Sequence, residues 1–167
     1  MSTAVLVGNP KARSRTFEAA VNLAVRLTGH EPDLAVDLAD FGSRLLERDD
    51  PEVADALKVV PSHDLVIVAS PTYKATYTGL LKVFLDLLPS GGLSGVTVVP
   101  LMLGGHWGHG LAPELSLKPV LTELGATAPT RGLFLLDAEF LSGSVLEGWL
   151  TTARGQLAQT APGAFGG

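Results

Sequence analysis

The stretch Leu65-Val66-Ile67-Val68-Ala69-Ser70-Pro71-Thr72-Tyr73-Lys74-Ala75-Thr76-Tyr77-Thr78-Gly79-Leu80-Leu81-Lys82 passes from an unbroken apolar run, through a polar aromatic loop, into an amphipathic pattern. Continuous apolar character from Leu65 to Ala69 is what a parallel strand buried on both faces requires. Ser70-Pro71 stops that run, so the loop that follows stands at the carboxyl end of a strand. In an open α/β sheet this rim is the usual place for a ligand, above all beside a point where strand order reverses. Tyr73 and Tyr77 would offer hydroxyl-tipped rings there. The competing reading is a plain strand-to-helix connection.

Outward from this stretch the chain alternates strand and helix patterns with short connections, the signature of a parallel sheet covered on both faces. The first strand is read at Ala4-Val5-Leu6-Val7. The following helix places Phe17, Ala20, Val21, Ala24 and Val25 on one face and ends at Gly29. Strand two is expected from Leu34 to Leu38. A weaker helix begins after Asp50-Pro51, an N-cap followed by proline in the first turn, and turns Val53, Ala56 and Leu57 inward. A helix over about Gly79 to Leu88 packs Leu80, Leu81, Phe84, Leu85 and Leu88, leaves Lys82 and Asp86 as a solvent-side i,i+4 pair, and closes at Pro89. Strand four is expected over Val96 to Leu103, helix four from near Pro113, and strand five over Leu133 to Leu136. In the last helix Ser144-Val145-Leu146-Glu147 has a capping-box pattern ahead of an apolar stripe through Val145, Leu146, Trp149, Leu150, Ala153 and Leu157. Residues 1–167 read as one domain without repeats, with a frayed tail from Ala161 to Gly167.

Composition excludes several classes. The chain has 167 residues, 46% of them hydrophobic and 17% charged, which argues against disorder and allows a real core. Twelve Lys plus Arg against 17 Asp plus Glu give a net charge of −5, unfavourable for non-specific nucleic-acid or anionic-membrane binding. With no cysteine there is no disulfide, thiolate nucleophile, thiolate-bound zinc or iron–sulfur cluster, a composition compatible with a reducing cytoplasm. Neither a secretory signal nor an apolar run of about 18 residues is found, so a soluble, cytoplasmic protein is expected.

Three strand-end loops would meet at one rim if the sheet has the order 2-1-3-4-5. The first, Gly8-Asn9-Pro10-Lys11-Ala12-Arg13-Ser14-Arg15-Thr16, brings hydroxyls, two guanidiniums and a helix N-terminus together, which makes an anion cradle. It matches neither the GxxxxGK[ST] phosphate loop nor GxGxxG. The second, Pro71 to Tyr77, suits the edge of a flat ring. The third, Gly104-Gly105-His106-Trp107-Gly108-His109-Gly110, uses glycines to let backbone approach a ligand closely. His106 and His109 have no Cys or carboxylate in their loop to complete a metal site, and no metal is expected. Without a GxSxG elbow, an HExxH motif or a paired-carboxylate pattern, a cofactor would carry any reaction. Together the loops offer a phosphate cradle and two ring contacts, the parts needed for flavin mononucleotide (FMN).

Gly8-Asn9-Pro10 followed by Ser14-Arg15-Thr16, then Ser70-Pro71-Thr72-Tyr73-Lys74 through Leu80-Leu81-Lys82, then Gly104-Gly105-His106 and Leu117-Lys118-Pro119-Val120-Leu121 resemble the NAD(P)H-dependent FMN reductase family. The resemblance covers about residues 4 to 155 and is strongest to the reductases of two-component alkanesulfonate-type monooxygenase systems. It implies a flavodoxin-like, doubly wound five-stranded parallel sheet in a three-layer α/β/α arrangement. It also implies that Ser14, Arg15 and Thr16 hold the FMN phosphate, that Asn9 and Pro10 shape that loop, that Pro71, Thr72, Tyr73 and Lys74 meet the flavin edge, and that Gly104, Gly105 and His106 flank the ring. The implied reaction is hydride transfer from NADH or NADPH to flavin N5. It proceeds by positioning, with no catalytic side chain, and reduced FMN passes to a partner monooxygenase. Arg13 or Lys11 is a candidate for the nicotinamide phosphates, and either could equally be a solvated surface charge. A homodimer or homotetramer is implied as well. Some relatives carry Tyr in an irregular turn before Leu-Lys-Pro, associated with tetramer packing and flavin exchange; Leu115 stands there in this chain. The alternatives are an FMN-retaining reductase of quinones, azo dyes or metal oxyanions, and a flavodoxin-like electron carrier.

Overall fold

The computed structural model describes residues 1–47 and 49–160. Five parallel strands, β1 (Thr3–Val7), β2 (Leu34–Asp37), β3 (Leu65–Pro71), β4 (Thr97–Gly104) and β5 (Leu133–Leu136), form one sheet in the order β2-β1-β3-β4-β5. The reversal of order between β1 and β3 is the switch point expected of the flavodoxin-like arrangement. Register is continuous across it, with Val7 opposite both Asp37 and Ala69, and Pro71 opposite Leu103. The carboxyl ends of the central strands therefore open on the same rim.

Alternation along the strands divides the core into two layers. Ala4, Leu6, Val66, Val68, Val98 and Met102 face a layer containing α2 (Pro51–Val59), α3 (Gly79–Leu87) and α4 (Lys118–Glu123). Val5, Val7, Ile67, Ala69, Leu101 and Leu103 face α1 (Arg15–Thr28) and α5 (Ser144–Thr160). Both faces of β3 and β4 are thus covered, which accounts for their unbroken apolar sequences.

Several local expectations are corrected. β1 begins at Thr3, one residue early, and β4 is shifted one residue forward because Val96 turns back to the Leu93 carbonyl while Gly104 still pairs with Leu136. Leu38 leaves β2, where the Asp37 side chain accepts the Ala39 N–H and caps a 3₁₀ turn. The buried face of α1 is rotated to Ala19, Ala20, Leu23, Ala24 and Leu27; Val25 lies at its edge, half-buried. The α5 capping box does not form. Gly143 precedes the helix at φ 121°, and the Glu147 carboxylate is taken by Arg26 at 2.6 Å. Asp50 does cap α2, accepting from the N–H groups of Glu52 and Val53, and Lys82–Asp86 forms at 2.7 Å. The segment from Ala161 lies outside the described residues.

Candidate functional site

The loop between β1 and α1 is built almost wholly from its own polar groups. Asn9 is buried; its Oδ1 accepts the Lys11 N–H at 2.9 Å and its Nδ2 donates to Thr16 Oγ1 at 3.2 Å, so one amide spans the whole loop. Ser14 Oγ accepts the Phe17 N–H at 3.3 Å and caps α1. Both hydroxyls act as acceptors here, which leaves their own protons available to an anion. Arg15 begins α1, is exposed and makes no ion pair among the described residues. Its charge adds to the positive end of the helix.

Arg13 has a different fate. It sits at φ 51°, a conformation a branched or long side chain adopts only when its surroundings hold it there. The Asp37 carboxylate at the end of β2 does so, accepting the Arg13 N–H at 2.8 Å and its guanidinium at 2.9 Å, while Asp40 takes the other guanidinium nitrogen at 2.8 Å. Hydrogen bonds to Asp40 and Asp37 raise the Arg13 pKa further, and the guanidinium lies 5.3 Å from the Phe17 ring centre. Arg13, a candidate for the nicotinamide phosphates or a solvated surface charge, is thus paired with two carboxylates while most of its side chain stays exposed. Lys11 and Arg15 remain as exposed cations of the loop.

Loop two is pinned to loop one. Thr78, the N-cap of α3, donates its hydroxyl to the Gly8 carbonyl and accepts the Leu81 N–H. Ser70 Oγ accepts the Thr78 N–H at 3.0 Å. Gly8 is required by proximity, since a Cβ there would lie 2.4 Å from the Leu81 Cβ. Between these anchors, Tyr73 and Thr76 exchange two backbone hydrogen bonds around Lys74 and Ala75, at φ 52° and 70°. Two successive left-handed residues make this a type I′ turn formed without glycine or asparagine, so neither residue type advertised it in the sequence. Tyr73 is half exposed at the tip, whereas Tyr77 packs partly against the core.

Loop three joins loop two from the other side. The Thr72 N–H donates to the Leu103 carbonyl at 2.7 Å, and the buried Thr72 hydroxyl has no partner among the described residues. A Cβ on Gly104 would stand 3.3 Å from that hydroxyl and 2.7 Å from the Phe134 ring. Gly105 is exposed and open. His106 Nδ1 accepts the Gly108 N–H at 3.0 Å, and the His106 and His109 rings are 4.5 Å apart. Among the described residues no third metal-ligating group joins them.

Beyond loop three the chain is helical from Pro113, but Pro113–Leu117 is a π-helical turn in which the Lys118 N–H reaches the Pro113 carbonyl. Pro119 has no N–H with which to close an α-helical bond onto Leu115. The turn is tied to β5: Glu114 accepts the Gly132 N–H at 2.6 Å and Lys118 Nζ at 2.9 Å, and Lys118 also reaches the Thr130 carbonyl. Burial pushes the Glu114 pKa up, yet the Gly132 N–H and Lys118 outweigh it and hold the carboxyl below its ordinary value. Leu115 projects outward, 69% exposed.

All the anticipated positions, Asn9, Pro10, Ser14, Arg15, Thr16, Pro71, Thr72, Tyr73, Lys74, Gly104, Gly105 and His106, thus lie in three interconnected loops on one rim or at the strand and helix ends that flank them. Sequence reasoning missed Asp37, Asp40, Ser70 and Thr78 as the residues that shape them. Asp37 at the end of a short apolar strand was the one visible signal.

A 2-1-3-4-5 sheet whose switch-point rim carries a polar loop leading into a capped helix and a glycine-rich loop defines a flavodoxin-like protein. The chain belongs to the NADPH-dependent FMN reductase family, whose model matches residues 1–140. The protein of Escherichia coli K12 named FMN reductase (NADPH) is 34% identical over 145 residues, covering 84% of this chain and 76% of its own length. NADH-dependent FMN reductase SfnF of Pseudomonas putida is 33% identical over 138 residues, covering 78% and 74%. Among solved structures, the apo form of an NADH:FMN oxidoreductase, EMOB, superposes with a TM-score of 0.85 at 29% identity over 98% of this chain and 93% of that one. Flavodoxin 1 of Bacillus cereus shares the fold, with a TM-score of 0.59 at 17% identity.

Proposed function

We propose that this chain is an NAD(P)H-dependent FMN reductase that binds FMN across the three loops and delivers it, reduced, to a flavin-using monooxygenase. The observation that carries the reading is the pairing on one rim of an anion cradle at the α1 N-terminus with a glycine-rich loop at the end of β4, where Gly104 packs close to Phe134 and Gly105 is open. The residues fit the group. Ser14 and Thr16 hydroxyl protons, the first N–H groups of α1 and the Arg15 guanidinium suit a phosphate monoester. Asn9 and Pro10 shape that cradle. Thr72, with its unpartnered hydroxyl, Pro71 and the N–H groups of the Tyr73–Lys74 turn suit the polar edge of the ring, while Gly104, Gly105 and His106 leave space along its side. Bound there, the flavin supplies a ring that accepts a hydride at N5 from a reduced nicotinamide.

The protein's part is positioning. The rim holds the ring in place, N–H groups at its pyrimidine edge favour added negative charge, and exposed Tyr73 and His106 border the face left open to the nicotinamide. No side chain needs to act as nucleophile, acid or base. A homo-oligomer and a cytoplasmic setting, where reduced nicotinamide is supplied, accompany this reading; no described helix is long and apolar enough to cross a membrane.

The test is NADH and NADPH oxidation by flavin-stripped protein as FMN is added. A rate that keeps rising well beyond one equivalent supports reduction and release of FMN. Saturation at one equivalent, with turnover only when a quinone or dye is present, would replace release by retention. FMN binding without NAD(P)H oxidation would make the protein a carrier and overturn the reading.

A further inference from the structure

A concavity lies behind loop three, along the free edge of β5. It has a volume of about 480 Å³ and is lined by Trp107 of loop three, Arg131 to Phe134 of the edge strand, and Trp149, Thr152 and Gln156 of α5. That volume falls within the usual range for small-molecule sites. The two indoles are held in place. Trp107 packs against Phe134 with ring centres 5.6 Å apart and remains half exposed. The Trp149 ring N–H is bonded to the Arg131 carbonyl at 2.8 Å, which fixes the ring and leaves its faces without a competing polar demand.

Arg131 has a carboxylate within electrostatic reach, Glu114, whose pKa its charge helps to lower. Arg131 is the only charged residue in the lining and makes no ion pair among the described residues, although the chain as a whole is acidic. The neighbouring carboxylate, Glu114, has its two oxygens engaged by Lys118 and the Gly132 N–H. A cleft lined by one arginine and two indoles suits a flat ring that carries negative charge. Thr152 and Gln156 add hydrogen-bonding capacity to the lining.

We propose that this cleft binds a planar aromatic compound bearing a single anionic group, an aryl carboxylate or aryl sulfonate, independently of the flavin rim. One guanidinium matches one such charge, whereas the cradle at the α1 N-terminus gathers several donors of the kind a phosphate monoester needs. Because Trp107 follows His106 directly, the occupant would rest against the back of loop three.

The experiment is a calorimetric and tryptophan-fluorescence titration of the full chain with 2-naphthoate, alone and saturated with FMN, against 2-naphthylmethanol as the neutral analogue. Two variants accompany it. Arg131→Gln removes the charge. Gly148→Leu fills the cleft from α5, where an added Cβ meets nothing within 4 Å, so that folding and FMN affinity are retained. The expected result is one 2-naphthoate per chain with and without FMN, binding weakened tenfold or more by Arg131→Gln and by loss of the carboxylate, and abolished by Gly148→Leu. Competition between 2-naphthoate and FMN, equal binding of the neutral analogue, or indifference to both substitutions would each overturn the proposal. Since the titration is also run without flavin, its failure is separate from any failure of the reductase reading.

Discussion

The loops after β1 and after β4 stand on the same rim and are held by opposite means. The first is a lattice of hydrogen bonds, Asn9 to Thr16, Ser14 to Phe17 and Arg13 to Asp37, with a strained Arg13 fixed by carboxylates. The third has few polar ties. Its shape comes from missing side chains at Gly104 and Gly105 and from Trp107 resting on Phe134. The contrast matches what each end of a flavin requires. A phosphate needs donors fixed in advance, because ordering them on binding would consume affinity, whereas a ring face needs space and a flat wall.

The largest effect is expected where the loops are sterically fused to the sheet. Gly8→Ala places a Cβ 2.4 Å from Leu81 Cβ and 3.0 Å from its backbone, so stability should fall by about 3 kcal/mol, roughly 10 °C in Tm. Gly104→Ala meets the edge of the Phe134 ring, which can turn aside, and thermal unfolding should show a smaller loss. If the two variants melt together, close approach is not what distinguishes these positions.

Asp37→Ala removes the acceptor for two N–H groups and the Arg13 guanidinium. A loss of about 2 kcal/mol is expected in urea unfolding, with FMN affinity falling alongside it because the first loop loses its shape. Unchanged affinity would mean that the loop does not depend on its tie to β2.

Glu114 adds a pH signature. Its folded pKa is depressed, so its contribution is present above the unfolded value of about 4.3 and is lost as pH falls through the folded value. Glu114→Gln should therefore be less stable than wild type by roughly 1 kcal/mol near neutrality, the gap closing below about pH 4. Tm measured from pH 7 to pH 3 checks this, and a constant gap would count against the assignment. At the bottom of the scale, Lys82→Gln breaks an exposed pair and should leave Tm within about 1 °C.

Much of this was legible because period and punctuation coincide. Continuous apolar runs gave β1, β4 and β5 to within a residue and the start of β3, which pairs on through Ser70 and Pro71 where the run was read as stopping, and Asp50-Pro51 and Gly29 marked helix ends. What escaped were features decided by tertiary partners. The capping box at Ser144 failed because Glu147 found Arg26 across the helix layer. Arg13 looked like a free cation until the sheet brought Asp37 beside it. The irregular turn before Leu117-Lys118-Pro119 was anticipated at Leu115, but its tie from Glu114 to Gly132, 18 residues away in sequence, was not, and the Lys74–Ala75 turn lacks the residues that normally announce it. The rim could be read from the sequence, but the bonds that fix its loops could not.

The central claim is that the first loop holds a flavin phosphate. Equilibrium titration of flavin-stripped wild type and Arg15→Ala with FMN and with riboflavin, which lacks the phosphate, tests it directly. The account predicts that wild type prefers FMN by at least about tenfold, the scale of one charge-assisted contact, and that Arg15→Ala erases most of that preference while leaving riboflavin binding unchanged. Equal affinity of wild type for the two flavins, or a preference that survives Arg15→Ala intact, would contradict it.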